Sequence, residues 1–185
     1  MIYSDVVRII ADILKDFDSQ KPVHKTYRPG VGPFGEPQLV KEIAQRLTYK
    51  GIEAKTQRTP DLVIRDGQNV FAIEFKIVRP FGDNGKEAEN WSVNMLHPYP
   101  GNVSLLADAL KLIDLNGGFN CKGLFLIGYE HNPPRISLDP LLFSFELIAR
   151  EVMGIPLGQR IEERRDKLVH PVHQVLRCVG WKLDL

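Results

Sequence analysis

Two short apolar runs on either side of Asp66-Gly67 form the clearest pattern of hydrophobic and polar positions in the chain. Asp-Gly readily adopts the positive backbone φ angles of a tight hairpin turn, so residues 62–65 and 70–76 are predicted to pair as antiparallel strands. Side chains alternate between the two faces of a strand. In the second strand, one face therefore carries Phe71, Ile73 and Phe75, and the other carries Val70, Ala72, Glu74 and Lys76. Because both faces begin apolar, the strand is expected to be covered on both sides. Glu and Lys side chains are seldom buried in such a strand unless they form ion pairs or bind a ligand.

Helical periodicity and further apolar runs surround this hairpin. The pattern predicts helices over residues 4–17, 34–47, 104–115 and 139–152, with Ser4 capping the first helix and either Asn102 or Ser104 capping the third. Strands are predicted over residues 52–57 and 123–130. Residues 160–167 alternate in charge and are predicted to form a solvated helix face, whereas residues 175–183 form an apolar element whose type stays open. The order of elements predicts an α/β fold with a central mixed β-sheet flanked by helices.

Two irregular segments carry cations and aromatic side chains close to the predicted hairpin. The first, residues 18–35, is rich in proline and glycine and includes Arg28. The second, about 25 residues long, follows Lys76 directly and is uncommon in a compact domain unless it is functional or mobile. Its cations and aromatic residues, expected to contact a substrate, are Arg79, Lys86, Trp91, His97 and Tyr99. Two alternatives stay open: the first segment is a solvated connection, and Trp91 anchors the second segment to the core.

Composition limits the function classes. A chain of 185 residues with 43% hydrophobic and 25% charged residues suits one globular domain, residues 1–185. The net charge of +1 excludes a strongly basic, charge-driven binder, so any DNA site must be local. Cys121 and Cys178 lack CxxC spacing, and no apolar signal segment begins the chain, which together predict free thiols and a cytoplasmic location. No apolar run approaches the roughly 20 residues that a membrane span needs, so no membrane association is expected.

Candidate chemistry lies at the open end of the predicted hairpin. Asp61 precedes the first strand, and antiparallel pairing brings it close to Glu74 and Lys76. Two neighbouring carboxylates repel each other, and a hard divalent cation such as Mg²⁺ or Mn²⁺ would relieve that repulsion. The lysine adds a positive charge where an anionic transition state could use it. Taken singly, Glu74 and Lys76 could instead form an ion pair on one strand face, and Asp61 could be a strand-start residue.

The same residues resemble a known family motif. Pro60-Asp61, with Glu74 thirteen positions after Asp61 and followed by Phe75 and Lys76, is similar to the PD-(D/E)xK motif of restriction endonucleases and Holliday junction resolvases. Members of that superfamily place a helix before the hairpin, often with another glutamate near its start. Glu36 fits that position because it shares the apolar stripe of the 34–47 helix, whereas Glu42 projects to the opposite side. The resemblance covers roughly residues 36–111.

The resemblance implies a restriction-endonuclease-like fold, with a core over about residues 36–131 and helical additions at both termini. It also implies a Mg²⁺-dependent, or Mn²⁺-dependent, DNA endonuclease of the restriction or repair type. Asp61, Glu74 and the backbone carbonyl of Phe75 would hold the metal, and Glu36 would hold a metal-bound water or a second cation. Lys76 would orient the attacking water or stabilise the transition state, a role more catalytic than structural. The residues expected to contact DNA are Arg28, Arg79, Lys86, Trp91, Tyr99 and Lys111, although a solvated charge is the alternative for Lys111.

Other functions stay open beside this one. The chain could be a catalytically inactive DNA-binding or scaffold protein with a nuclease fold, or a metal-dependent hydrolase of small phosphate esters. Cutting both strands of DNA with one site per chain would favour a homodimer. His170 and His173 lack a third metal ligand nearby in the sequence and are therefore predicted to be surface or core histidines.

Overall fold

A mixed β-sheet of six strands forms the centre of this computed structural model, which describes residues 1–97 and 104–185. Its strands are β1 (Glu53–Thr56), β2 (Leu62–Asp66), β3 (Asn69–Val78), β4 (Cys121–Glu130), β5 (Leu157–Arg165) and β6 (Val175–Leu183). They lie side by side in the order β1-β2-β3-β4-β6-β5. β3 and β4 run parallel, and the other neighbouring strands are antiparallel.

Helices cover both faces of this sheet. They are α1 (Tyr3–Ser19), α2 (Glu36–Tyr49), α3 (Val93–Leu96), α4 (Leu105–Asp114) and α5 (Asp139–Leu147), and α5 continues into a π-helical segment, Ile148–Val152. The apolar residues of α1 and α2 pack against Phe71, Ile73 and Phe75 of β3 in one buried cluster. The apolar residues of α4 and α5 pack against Ala72 and Val78 in a second cluster on the opposite face. The predicted α/β architecture, a mixed sheet flanked by helices, is therefore confirmed, whereas kinship with the restriction-endonuclease fold stays a proposal.

The hairpin forms where the turn signal predicts it. Asp66 pairs with Asn69, and Gly67 in the turn has a φ of +59°, a left-handed conformation that costs glycine little. The phenylalanine and isoleucine side chains of β3 enter the first cluster, as the alternation predicts. The β2 ladder ends with the pair Leu62 and Ile73. Beyond Ile73, β3 therefore has a strand neighbour only on its β4 side.

The connection from β3 to the parallel strand β4 includes α3 and α4. Ser104 is the residue that caps α4, because its side-chain oxygen accepts a hydrogen bond from the backbone N–H of Ala107. The alternative cap, Asn102, lies outside the described residues. α4 packs over β3 and β4, which places the face of α4 that carries Asp108 above the end of β3.

The predictions near the two chain ends need correction. The residue that caps α1 is Ile2, and Ser4 lies within the helix. Residues 157–165 form the edge strand β5, so the solvated helix predicted over residues 160–167 is wrong. Charged side chains suit an edge strand because they discourage pairing with another sheet. Ion pairs to other elements hold them in place: Arg165 with Asp12 at 2.7 Å, Arg177 with Glu162 at 2.6 Å and Arg160 with Glu146 at 2.9 Å.

The sequence does not decide whether residues 175–183 are helix or strand. In the structure they form the strand β6, buried between β4 and β5. Its Trp181 is fully buried in the second cluster. Among the helices of the described residues, none combines the length and apolar character that crossing a membrane would require.

Candidate active site

The end of the β2 ladder leaves a gap beside β3, and Asp61 fills it. One carboxylate oxygen of Asp61, Oδ2, accepts a hydrogen bond from the backbone N–H of Phe75 at 2.8 Å. This side chain replaces the strand partner that β3 loses beyond Ile73. This hydrogen bond fixes Asp61 at the open edge of β3, next to Glu74 and Lys76.

Glu74 lies beside Asp61 and is almost completely buried, with 4% of its surface exposed. Burial raises the pKa of Glu74 far above its ordinary value, and a hydrogen bond to the carboxyl group of Asp61 and the negative charges of Asp61 and Asp108 raise it further. The two carboxyl groups are thus close enough to share a proton. A pair of this kind is also a place where a cation can replace the proton.

Lys76 is held by three oxygen atoms at the same edge. Its Nζ donates to the backbone carbonyl of Phe75 at 2.9 Å, lies 2.7 Å from Oδ2 of Asp108, and lies 3.6 Å from Oε1 of Glu36. Although burial lowers the pKa of Lys76, the charges of Glu36, Asp108 and Asp61 raise it more, so this pKa lies above its ordinary value. Lys76 is therefore a fixed ammonium group within the cluster of carboxylates.

Asp108 is a site residue that the sequence reasoning missed. Only 3% of its surface is exposed, and it pairs with Lys76 through one oxygen and with Lys111 through the other, at 2.6 Å. The sequence predicts Lys111 to be either a DNA contact or a solvated charge. In the structure it is an ion-pair partner of the buried Asp108. One feature of the sequence could have indicated Asp108: it lies one helical turn after Ser104, on the helix that follows the Glu-x-Lys strand.

Glu36 reaches the cluster from the first turn of α2. Its Oε1 lies near Lys76, whereas Glu42 forms an ion pair with Arg46 at 2.5 Å on another side of the helix. Burial, together with the charges of Asp61 and Asp108, raises the pKa of Glu36 to about 7 against the opposing effect of Lys76. The phase of the helix is therefore the one that its apolar stripe predicts.

The charges of the cluster suit a small divalent cation. Its four carboxyl groups, those of Glu36, Asp61, Glu74 and Asp108, face the ammonium groups of Lys76 and Lys111. Within residues 1–97 and 104–185, no three histidine, cysteine, aspartate or glutamate side chains are grouped as a ready cage for a metal. Mg²⁺ needs no such cage, because it keeps several waters and binds through one or two carboxylates. Asp61 and Glu74 are the two carboxyl groups of the cluster that lie together at the open end of β3.

Two open cavities meet at Glu36. One, of about 470 Å³, is bordered by Glu36, Ile77, Arg79, Phe81, Trp91 and Asn94 among others. The other, of about 360 Å³, is bordered by Glu36, Asp61, Lys41, Gln57 and Arg58 among others. Lys41 and Arg58 were not among the predicted substrate contacts. Glu36 thus borders both clefts and Asp61 the smaller one, and each cleft has at least one basic side chain in its wall.

Arg28 and Lys86, two further predicted DNA contacts, lie on exposed loops. Arg28 is exposed on the loop before α2, and its charge adds to burial and to His173 in lowering the pKa of His170. Lys86 is exposed on the segment between β3 and α3, and no contact brings it to the carboxylates within the described ranges. Tyr99 lies outside the described residues. Of this predicted set, the structure brings Lys111 into the cluster and Arg79 and Trp91 to its adjoining cavity.

His170 and His173 are core residues. Both are buried, their rings stack at a centroid distance of 4.8 Å, and Nε2 of His173 lies 3.0 Å from Oδ1 of Asp83. They pack under the glycines of the loop before α2, since an added Cβ at Gly30 or Gly32 would collide with them. Their contacts therefore help to fix the loop that leads into Glu36.

No protein-family model matches the sequence, and comparisons with curated proteins and with solved structures gave no significant match.

Proposed function

We propose that the protein is a metal-dependent endonuclease that hydrolyses phosphodiester bonds of DNA at the cluster of Glu36, Asp61, Glu74 and Lys76. The single observation that carries the proposal is the pairing of the half-buried Asp61 with the buried Glu74 at the open end of β3, with the ammonium of Lys76 bound to the intervening carbonyl of Phe75. The sequence resemblance to PD-(D/E)xK nucleases and the α/β sheet flanked by helices support the same reading.

Asp61 and Glu74 are the residues that would hold Mg²⁺ or Mn²⁺. The carbonyl of Phe75 can assist, because a carbonyl oxygen has a second lone pair besides the one that Lys76 uses. When bound, the metal would lower the pKa of a coordinated water and neutralise charge on the scissile phosphate. The hydrogen bond from Phe75 keeps Asp61 oriented toward Glu74 before any ligand arrives, which is the preorganisation that such a site requires.

Lys76 and Glu36 supply the acid–base and electrostatic parts of the mechanism. Asp108 and the carbonyl of Phe75 fix the ammonium of Lys76, so its charge can stabilise the phosphate oxygens as negative charge develops on them. Glu36, with a pKa of about 7, can take a proton from the attacking water at neutral pH. Because the described part of each chain carries one such site, we propose that cutting both strands at one place uses two copies of the chain.

The test is nicking of supercoiled plasmid in Mg²⁺, with EDTA as the metal-free control and mononucleotide phosphate esters as alternative substrates. We expect nicking that depends on the metal and no release of phosphate from the mononucleotides. Phosphate release without nicking would replace this proposal with a hydrolase of small phosphate esters. DNA binding with neither activity would replace it with a nuclease-like binding or scaffold protein.

A further inference from the structure

The larger cavity beside Glu36 has the chemistry of a nucleotide subsite. Trp91 forms part of its wall, only partly exposed, and also packs against the second core cluster. An indole held in this way is already ordered, so stacking a flat ring on it costs little conformational entropy. Stacking on an aromatic side chain is available to every base, because every base has a π-face.

Arg79 supplies a positive charge in the same wall. Its guanidinium donates to the backbone carbonyl of Phe34 and lies 5.7 Å from the ring centroid of Tyr129, so it is anchored on two sides. Its Nε is buried and has no hydrogen-bond partner in the described part of the chain. A phosphate at this wall would meet a guanidinium that is already oriented, which is the group best matched to phosphate geometry.

The size and position of the cavity select a particular form of DNA. A cavity of about 470 Å³ can enclose a ligand of drug-like size, such as a single nucleotide. In an intact duplex the bases are stacked on each other, and placing one against Trp91 would require it to leave the stack, at a cost of a few kcal/mol. A base that is already unpaired avoids that cost. Because the cavity shares Glu36 with the carboxylate cluster, its occupant would lie next to the reacting phosphate.

We propose that this cavity binds one unpaired nucleotide beside the scissile phosphate, with Trp91 stacking on its base and Arg79 contacting its phosphate, so that the enzyme prefers single-stranded or flapped DNA to fully paired duplex. The inference rests on the proposed nuclease function and narrows its substrate class.

Tryptophan fluorescence gives a binding test that needs no cleavage. The chain has two tryptophans, and Trp181 is fully buried, so quenching by a small DNA probe reports on Trp91. The probe is a five-residue oligothymidylate in EDTA, compared with a blunt duplex at equal phosphate concentration. We expect saturable quenching by the single strand, at least about tenfold weaker binding of the duplex, and no quenching in Trp91→Phe. Equal quenching by both probes, or none, would overturn the inference.

Cleavage provides the second arm of the test. The substrates are one labelled sequence as a full duplex and as the same duplex with a single-stranded flap. Loss of one stacked base costs about 1–3 kcal/mol, or about five- to 150-fold. We therefore expect Trp91→Ala to slow the cutting of the flapped substrate about ten- to 100-fold more than it slows the cutting of the duplex. Trp91→Phe should retain most of the activity on the flap.

A matched control separates the possible failures. Tyr49 is 90% exposed at the far end of α2 from Glu36, so Tyr49→Ala should leave both rates unchanged. Thermal unfolding confirms that each variant is folded, and Trp91→Leu, which keeps an apolar side chain against the core but has no π-face, replaces Trp91→Ala if the latter unfolds. Cleavage rates that stay unchanged in both Trp91 variants would contradict the subsite and leave the nuclease proposal intact. Quenching by the single strand alone, without cleavage of any substrate, would support the subsite and contradict the nuclease proposal.

Discussion

Replacing Lys76 with methionine separates its structural contribution from its catalytic one. The sequence suggests that removing this side chain leaves folding nearly intact, but the buried contact with Asp108 at 2.7 Å leads to a different expectation. Breaking a buried ion pair by removing one partner costs about 3–5 kcal/mol, because the other charge stays buried. Asp108 keeps its contact with Lys111 at 2.6 Å. We therefore expect Lys76→Met to lower the free energy of unfolding by about 3 kcal/mol, the lower end of that range.

The catalytic effect of the same change should be about as large as its effect on stability, and it is measured separately. Loss of one preorganised group that faces transition-state charge usually lowers kcat by about 10²–10³-fold, or roughly 3–4 kcal/mol of barrier. The double variant Lys76→Met with Asp108→Leu removes both charges, so its stability should return toward that of the wild type while cleavage stays lost. Lys111, whose side chain is 45% exposed, can then be solvated.

Urea unfolding at constant m-value measures the first effect, and plasmid nicking at a temperature where every variant is folded measures the second. An unchanged urea midpoint for Lys76→Met would refute the structural reasoning about Asp108. Nicking by folded Lys76→Met at the wild-type rate would refute the catalytic role and leave Lys76 as an ion-pair partner only.

Three further predictions concern other parts of the site. The raised pKa of Glu74 keeps this carboxyl group protonated near neutral pH, so a bound metal must displace the proton. The apparent affinity for Mn²⁺ should therefore rise with pH by up to about tenfold per pH unit. Calorimetry in two buffers with different ionisation enthalpies measures the accompanying proton release. A pH-independent affinity would contradict this. Under the proposed mechanism, in which ionised Glu36 is the base, the cleavage rate at saturating metal should rise up to a pH of about 7 and then level off. Glu36→Gln should lose this rise, whereas Glu42→Gln should keep it. Ser104→Ala removes the cap contact to Ala107 and should cost about 1 kcal/mol of unfolding free energy in urea, whereas an unchanged value would show that the cap contributes nothing.

The parts of the fold that the sequence predicts are those set by local signals. The turn at Gly67 and the alternation along β3 fix the hairpin, because turn geometry and a two-residue period need no information from distant residues. The apolar stripe of α2 likewise fixes the orientation of Glu36. The proximity of Asp61 and Glu74 follows from antiparallel pairing alone.

The parts that the sequence does not predict depend on contacts between distant segments. The role of Asp108 arises only when α4 docks over the end of β3, more than thirty positions earlier in the chain. The alternating charges of residues 160–167 predict a solvated helix, but the partners that hold these side chains on β5, such as Asp12 for Arg165, lie on elements far away in sequence. The same holds for Lys41, which reaches the wall of the smaller cavity beside Asp61 only because α2 packs against β1.

The central claim is that Asp61 and Glu74 form a metal-binding catalytic centre. Mn²⁺ titration followed by electron paramagnetic resonance, with plasmid nicking measured on the same samples, tests it most directly. We expect at least one bound Mn²⁺ per chain and metal-dependent nicking in the wild type and in Glu42→Gln, and loss of both in folded Asp61→Asn, which lacks a charged ligand. Wild-type protein that binds no Mn²⁺ and leaves the plasmid intact, or Asp61→Asn that nicks it at the wild-type rate, would contradict the proposed metal centre.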